Sequence, residues 1–393
     1  MRACGVYYLR IGLYSDWFYP KLGGVASHMD GLARYLIRLG HKPIVITSSL
    51  PYYDSNGGYP YKVLKIRSRV IPFFDIAPLG TYGKLLNIVS DEYFDVIHGH
   101  HAFTPISLYS IEIASKRGIP SVLTAHSLAP MNGSLNRIWL AFSRFVFPLK
   151  RYFDKPNKII AVSKAVRNFM LPLVDDPSKI VVIPNAISTD LYDLKRDSHE
   201  LRKNLGLPLD SFIFLYVGRM VYRKGPIFLL RAFKRLLSKY KNVHLYYVGV
   251  GELASYITSS IKFMRLSDNV HYLGFVPRDK LIKLYNAVDA VIVPSLFGEA
   301  FGMVIIEAMA SGKAVIATRV GGMQEIVEHG KTGYLCKAGD VDSLVNAMES
   351  LINNPELTKK FGTEGKRIAQ KKYDWSVVSR QIINVYYDAI MGR

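Results

Sequence analysis

Short apolar runs alternate with longer amphipathic stretches along most of the chain. Ile11 to Ser15, Pro43 to Thr47, Asp95 to His98, Ser121 to Thr124, Lys158 to Val162 and Ile180 to Ile183 read as strands, and Val25 to Leu39 between the first two reads as a helix. A polar stretch, Asp190 to Asn204, interrupts the series. It then resumes with strands at Phe212 to Val217, Val243 to Val248, Val270 to Leu273, Ala290 to Pro294 and Ala314 to Thr318. Helices are expected between them at Pro226 to Tyr240, Lys280 to Asn286 and Phe301 to Ser311. Near-continuous apolar strands separated by helical stretches are the pattern of parallel sheets covered on both faces by crossover helices. The expected fold is therefore α/β, with two Rossmann-like, doubly wound domains at 1–190 and 191–375. An aromatic helix, Trp375 to Ile390, follows the second series, and residues 376–393 are expected to pack back on the first domain.

Composition narrows the class. A chain of 393 residues, 49% hydrophobic, is too long for one ordinary core. No apolar run reaches the roughly 18–20 residues of a spanning helix. The start, Met1 to Arg10, lacks a signal-peptide layout, and Cys4 and Cys336 offer neither a disulfide framework nor metal-site spacing. A cytoplasmic protein is expected. The net charge of +20 suits phosphorylated ligands, anionic membranes or nucleic acid. Residues 1–194 hold 22 Lys and Arg against 13 Asp and Glu, and the remainder 29 against 18, so the charge is spread over both halves. With no compact recognition motif, that spread argues against nucleic acid.

Ligands of such sheets bind at the carboxyl ends of the strands. There the first half places Gly23-Gly24, where backbone can approach a ligand at a helix start, and His126 in Thr124-Ala125-His126-Ser127. The cluster His98, His100 and His101 also ends a strand. It has no acidic or cysteine partner at ligand spacing, so a metal is not expected. In the second half, Arg219 and Lys224 sit on a loop that opens a helix, a fork of donors plus a point charge suited to a diphosphate. Gly249-Val250-Gly251-Glu252 follows the next strand. The most telling run is Glu299 to Glu307: two carboxylates in an apolar stretch need partners, and the vicinal hydroxyls of a sugar and a ribose would serve.

These residues resemble a known family. Gly298 to Glu307 is similar to the two-glutamate signature of the retaining GT-B glycosyltransferases of family 4. Arg219 with Lys224, Gly249 to Glu252, Gly23-Gly24 and Ile183-Pro184-Asn185-Ala186 occur in that family's order. Phe18 to Val25, His98 to His101, Thr124 to Leu128, Ser163-Lys164, Arg219 to Gly225 and Thr318 to Gly322 resemble most the catalytic subunits that put N-acetylglucosamine on phosphatidylinositol. Those subunits carry a C-terminal membrane span that this chain lacks before Arg393. That leaves open a relative with a different lipid or one acting on a soluble inositol phosphate.

The resemblance implies two domains facing across a cleft and a nucleotide-sugar donor, best matched by UDP-N-acetylglucosamine. It also implies a lipid or inositol-containing acceptor, retention of configuration, and no metal or other cofactor. Arg219 and Lys224 would clamp the diphosphate, Glu307 the ribose and Glu299 the sugar hydroxyls. Gly249, Gly251, Phe301, Gly302, Met303 and Val304 would complete the donor site, with Gly23 and Gly24 against the distal phosphate or acceptor. His126 would sit at the anomeric centre, with His28, His101 and Asn185 on the acceptor side. A mannosyl- or glucosyltransferase using GDP-mannose or UDP-glucose on a lipid or polysaccharide, and a non-catalytic nucleotide-sugar-binding protein, are the competing readings.

Leu128 to Phe169 is rich in aromatics (Trp139, Phe142, Phe145, Phe147, Tyr152, Phe153, Phe169). Met131 to Arg167 carries eight Lys and Arg against one acid, Asp154. With Phe73-Phe74 and Tyr82 to Lys84, this pattern is expected to contact an anionic membrane surface peripherally, on the cytoplasmic face.

Overall fold

The structure, a computed structural model, describes residues 8–19, 23–49, 58–67, 81–128 and 149–392. Its contacts divide the chain into two compact units, Met1–Ala186 with Trp375–Arg393, and Ile187–Asp374. The join falls at 186/187 rather than near Asp190. The polar stretch after it is not a bare linker, because it holds the helix Ser198–Leu205, capped by the Asp197 carboxylate. That helix is polar in sequence because its anchor is a buried arginine. Arg202 donates to the carbonyls of Ala287, Leu209 and Ser211 and pairs with Asp289 at 2.7 Å.

The first unit is built on a seven-stranded sheet: β1 (Arg10–Ser15), β2 (Lys42–Ser49), β3 (Lys62–Arg67), β4 (Val96–His100), β5 (Ser121–Ala125), β6 (Lys158–Ala161) and β7 (Ile180–Val182). The order is β3-β2-β1-β4-β5-β6-β7 and every pair is parallel. β4 and β5 are buried at every position, as their apolar runs require. β3 escaped the sequence reading because Lys62 and Lys65 break its apolar run; lysines of this kind mark a sheet edge. The helix Gly24–Arg38 and the final helix Trp375–Met391 contribute Met29, Leu32, Leu36, Trp375, Val378, Ile382 and Tyr386 to one core with β1. Gly31 makes their contact possible, since a Cβ there would stand 2.3 Å from the Trp375 indole nitrogen.

The second unit has six parallel strands, β8 (Phe212–Val217), β9 (Val243–Val248), β10 (Val270–Gly274), β11 (Ala290–Val293), β12 (Ala314–Thr318) and β13 (Gly333–Cys336), in the order β10-β9-β8-β11-β12-β13. Its core centres on Phe214, Leu229, Phe233, Leu245 and Met348. In both sheets the strand order reverses once, between β1 and β4 and between β8 and β11. A doubly wound sheet opens its binding crevice at that switch point. Among the described residues, no helix is long and apolar enough to cross a membrane.

Candidate active site

Two loops leave β8 and β11 at the switch point of the second sheet. The first, Gly218 to Gly225, is pinned from below. Tyr216 donates its hydroxyl to the Arg219 carbonyl at 3.0 Å, and Met220 N–H donates to Val250 O at 2.9 Å. Gly225 closes the loop at φ 71°, where a Cβ would fall 2.0 Å from Pro294 O. Only glycine combines that backbone with so close an approach to the end of β11. It also caps the helix Pro226–Leu236, which starts on proline. Leu296 N–H on the second loop donates to Arg223 O at 2.7 Å, tying the two loops together.

They converge on Glu299, which is 7% exposed. Its Oε1 lies 2.5 Å from Lys224 Nζ and 3.5 Å from Arg223 Nη1, and Ser295 donates its hydroxyl to the same oxygen at 2.8 Å. Burial pushes the Glu299 pKa up, but Lys224, Arg223 and Ser295 together outweigh it and hold the carboxyl below its usual range. Arg219 lies on the same loop, its guanidinium partly withdrawn from water. Burial and the neighbouring Arg223 guanidinium push its pKa down, offset in part by Glu299 and Glu252. Three cations thus crowd around Glu299, a surplus of positive charge that suits a diphosphate.

Glu307, on the helix Met303–Ala310, is partnered by hydroxyls: Tyr285 donates to its Oε2 at 2.8 Å, and Tyr192 also reaches it. Burial raises the Glu307 pKa above the usual carboxylate range, and Tyr285, Tyr192 and Arg278 only partly offset it. The remaining donor candidates divide. Gly302 caps the helix, and Met303 and Val304 form its partly exposed first turn. Phe301 is buried, with its ring edge-on to Tyr373 at 5.8 Å. At Gly249 and Gly251 a Cβ would stand 2.0 Å from Gly218 O and 2.5 Å from Met220 O. What these glycines approach is therefore the backbone of the Arg219 loop, which they help to seat.

At the switch point of the first sheet, Gly23 and Gly24 are exposed at the start of the helix Gly24–Arg38, and no atom lies within 4 Å of a Cβ placed on Gly23. Pro20, Lys21 and Leu22 lie outside the described residues. Behind this turn the histidines assort by strand register. His98 is a satisfied structural residue, bonded to the hydroxyls of Tyr386 at 2.7 Å and Thr124 at 2.6 Å. His100 Nδ1 meets His126 Nε2 at 3.2 Å. His101 adopts φ 80°, a strained backbone for a histidine. Its Nε2 bonds the Ser127 hydroxyl at 2.9 Å and its ring stands edge-on to Trp17 at 4.3 Å. His28 reaches the same place from the helix Gly24–Arg38, its ring 4.8 Å from His126 and 4.9 Å from Trp375. Asn185 is buried beside His126. Burial, and then the neighbouring histidines, push His126 and His100 well below the usual imidazole value, so both are neutral at pH 7.

His28, His100 and His126 together offer ligand nitrogens all within 4.8 Å of one another. The sequence reading dismissed a metal on the strand motif alone, because His28 and His126 arrive from other elements. It also missed Arg223, Ser295, Tyr285 and Tyr192. Arg223 and Ser295 flank residues already singled out, whereas nothing in the sequence links the tyrosines to Glu307. Of the aromatic, basic segment, 129–148 and Phe73-Phe74 lie outside the described residues. In the described part, Phe153 is fully buried, and it and Phe169 pack edge-on to Phe103. Tyr82 packs against Tyr109, with Lys116 over its ring.

The family model described as Glycosyl transferases group 1 matches residues 197–368, and that described as Glycosyltransferase Family 4 matches residues 22–191. An uncharacterized glycosyltransferase of Methanocaldococcus jannaschii is 30% identical over 96% of this chain and 98% of its own. The GPI3 subunit of the phosphatidylinositol N-acetylglucosaminyltransferase of Saccharomyces cerevisiae is 27% identical over 96% and 82%. The phosphatidyl-myo-inositol mannosyltransferase of Mycolicibacterium smegmatis is 29% identical over 96% and 93%. Among solved structures, a glycosyltransferase from Rickettsia africae superposes with a TM-score of 0.79 at 21% identity, covering 99% of this chain and all of that one. Anabaena HepE, in complex with UDP and glucose, gives 0.76 at 22%, covering 97% and 100%. With two Rossmann-like units, each carrying its polar cluster at a switch point, the chain belongs to the group 1, family 4 glycosyltransferases of the GT-B fold.

Proposed function

We propose that this glycosyltransferase moves N-acetylglucosamine from UDP-N-acetylglucosamine onto an inositol-containing lipid, with retention of configuration and without a metal. The observation that carries the reading is the paired carboxylate site of the second unit. Glu299 is held by Lys224, Arg223 and Ser295 on two loops joined by a hydrogen bond, and Glu307, on the helix that follows, by Tyr285. Arg219 and Lys224 bind the diphosphate and offset the charge of the departing nucleotide, work that a divalent ion would otherwise do. When the phosphates draw Lys224 away, Glu299 is released to accept from sugar hydroxyls. Glu307 accepts from the ribose, whose hydroxyls join that of Tyr285.

Glu299 is assigned to the sugar hydroxyls and His126 to a hydrogen bond with the sugar, which leaves no carboxylate for a double displacement. The reaction proceeds by front-face substitution, in which the leaving phosphate oxygen takes the acceptor proton. His126, with Asn185 beside it, hydrogen-bonds the transferred sugar. His28, His101 and the Gly23-Gly24 turn form the acceptor side.

The names of the yeast and mycobacterial relatives share an inositol phospholipid and differ in the sugar, so the lipid class is the firmer part of the reading. Mannose from GDP-mannose is the second reading, favoured by the mycobacterial relative. Exposed Lys150, Arg151 and Lys164 support attachment to an anionic membrane; binding to phosphatidylserine vesicles that salt reverses is expected, and indifference to them contradicts it.

The test offers phosphatidylinositol vesicles with each of UDP-N-acetylglucosamine, UDP-glucose and GDP-mannose, in chelator, followed by mass spectrometry and assignment of the product anomer. An α-linked N-acetylglucosaminyl lipid is expected. A mannosyl product alone overturns the donor, and a β-anomer overturns retention.

A further inference from the structure

The proposed function leaves a buried feature of the first unit unused. His28 is 2% exposed and His100 is fully buried, yet among the described residues neither ring nitrogen of His28 nor Nε2 of His100 has a hydrogen-bond partner. A buried ring with neither nitrogen paired is costly, and His28 is such a ring; ligation through one of its nitrogens would supply a partner. The third ring, His126, is half-buried. One nitrogen from each of the three lies within 4.8 Å of the others, and the closest approach, His100 Nδ1 to His126 Nε2, is 3.2 Å. Zinc bound tetrahedrally at about 2.0–2.1 Å per nitrogen sets its ligand nitrogens about 3.3 Å apart. The His100–His126 edge already has about that length, and His28, whose nitrogen lies within 4.8 Å of both, completes the face by closing up to about 1.5 Å. The helix Gly24–Arg38, β4 and the segment after β5 each supply one ring, so the donors converge from three elements of one unit.

We infer that His28, His100 and His126 form a binding site for a divalent transition-metal ion of the zinc type, with water in the open fourth position, and that filling it inhibits glycosyl transfer. Imidazoles suit such ions, while magnesium and calcium, which prefer oxygen ligands, are excluded by the donor set. Ligation must use the neutral ring, and burial keeps these rings neutral at pH 7. A metal on His126 Nε2, the nitrogen that meets His100, would tie the ring to the cluster and withdraw it from the sugar. The inhibitory half of the inference therefore rests on the catalytic role proposed for His126, whereas the binding half does not.

Chelator-stripped protein without a histidine tag is titrated with Co2+, read by the visible absorption of the four-coordinate ion, and the Co2+ is then displaced with Zn2+. One ion per chain is expected. His28→Ala and His100→Ala should weaken binding beyond the roughly 10–100-fold that changes around a ligand shell bring. His271→Ala, which breaks the stacked His244–His271 pair of the second unit, should leave binding unchanged. His28→Gln and His100→Gln, checked for folding by thermal denaturation, exclude loss through misfolding. No binding by the parent protein, undiminished binding in folded His28 and His100 variants, or loss with His271→Ala overturns the site. Zn2+ at one equivalent should abolish transfer, and transfer that continues with the site filled overturns the inhibitory role. If instead His126→Ala turns over normally, the catalytic reading of His126 fails while the Co2+ titration still decides the site.

Discussion

Glu307 is the residue whose charge state should be most visible in binding. Its carboxyl is pushed up by burial, and a ribose hydroxyl needs the ionised form as acceptor. As pH falls through that raised pKa the carboxylate protonates, so UDP affinity should decline at a higher pH than an ordinary glutamate would impose. Calorimetric titration across pH 4–8 would show it, and Glu307→Gln should flatten the profile. The same raised pKa works against the fold. Stability linked to this group is complete below the unfolded pKa and is lost as pH rises through the folded one, so Glu307→Gln should raise Tm at neutral pH while weakening UDP. Lys224 presents the opposite case. Lys224→Ala removes a charge-assisted contact and leaves Glu299 buried with only Arg223 and the Ser295 hydroxyl as partners, so UDP affinity should fall by about 100-fold, on the order of 3 kcal/mol. His126→Ala should lower turnover on the order of 100-fold with little change in donor KM, as expected for a group acting at the transition state. Equal loss in KM would assign His126 to binding.

At the scale of elements, legibility followed local pattern. β8, β9 and β12 run as continuous apolar strands, and their bounds were read directly. β13 has only four residues, Gly333–Cys336, and the helix Pro355–Lys372 is mostly polar; Val341–Asn353 went unread although Leu344, Val345, Met348 and Leu351 give it a buried apolar face at helical spacing. The Glu299 to Glu307 run was legible for the same reason, since both carboxylates sit within one loop and helix. The geometry that makes it a site was not. Gly225 shows what connects the two loops: its left-handed backbone and the missing Cβ let the Lys224 loop rest on Pro294. Gly225→Ala should cost about 2–3 kcal/mol, more than an ordinary left-handed alanine, because the clash is with a carbonyl oxygen that cannot move aside. Denaturant unfolding measures that cost, and UDP binding should weaken with it.

Across the whole molecule, the winding of the first unit, which gathers distant segments of the chain, explains why the histidine cluster was hidden. His28 and His126 stand 98 positions apart in sequence, and Trp375, against His28, comes from the far end of the chain. No spacing rule relates such residues. Trp375 seats the last helix on Gly31, so Trp375→Ala should destabilise the first unit by about 3–5 kcal/mol. The second unit keeps its own core, and UDP affinity should stay within about twofold. A matching loss of UDP binding would show that the units do not fold independently.

The central claim is that the paired carboxylates and cations of the second unit hold a nucleotide-sugar. Its most direct test is calorimetric titration of UDP into metal-free parent protein and the Lys224→Ala and Glu307→Gln variants. Saturable binding by the parent in chelator, sharply weakened in both folded variants, is the predicted result. Unchanged affinity in the variants, or binding only after a divalent ion is restored, would contradict the account.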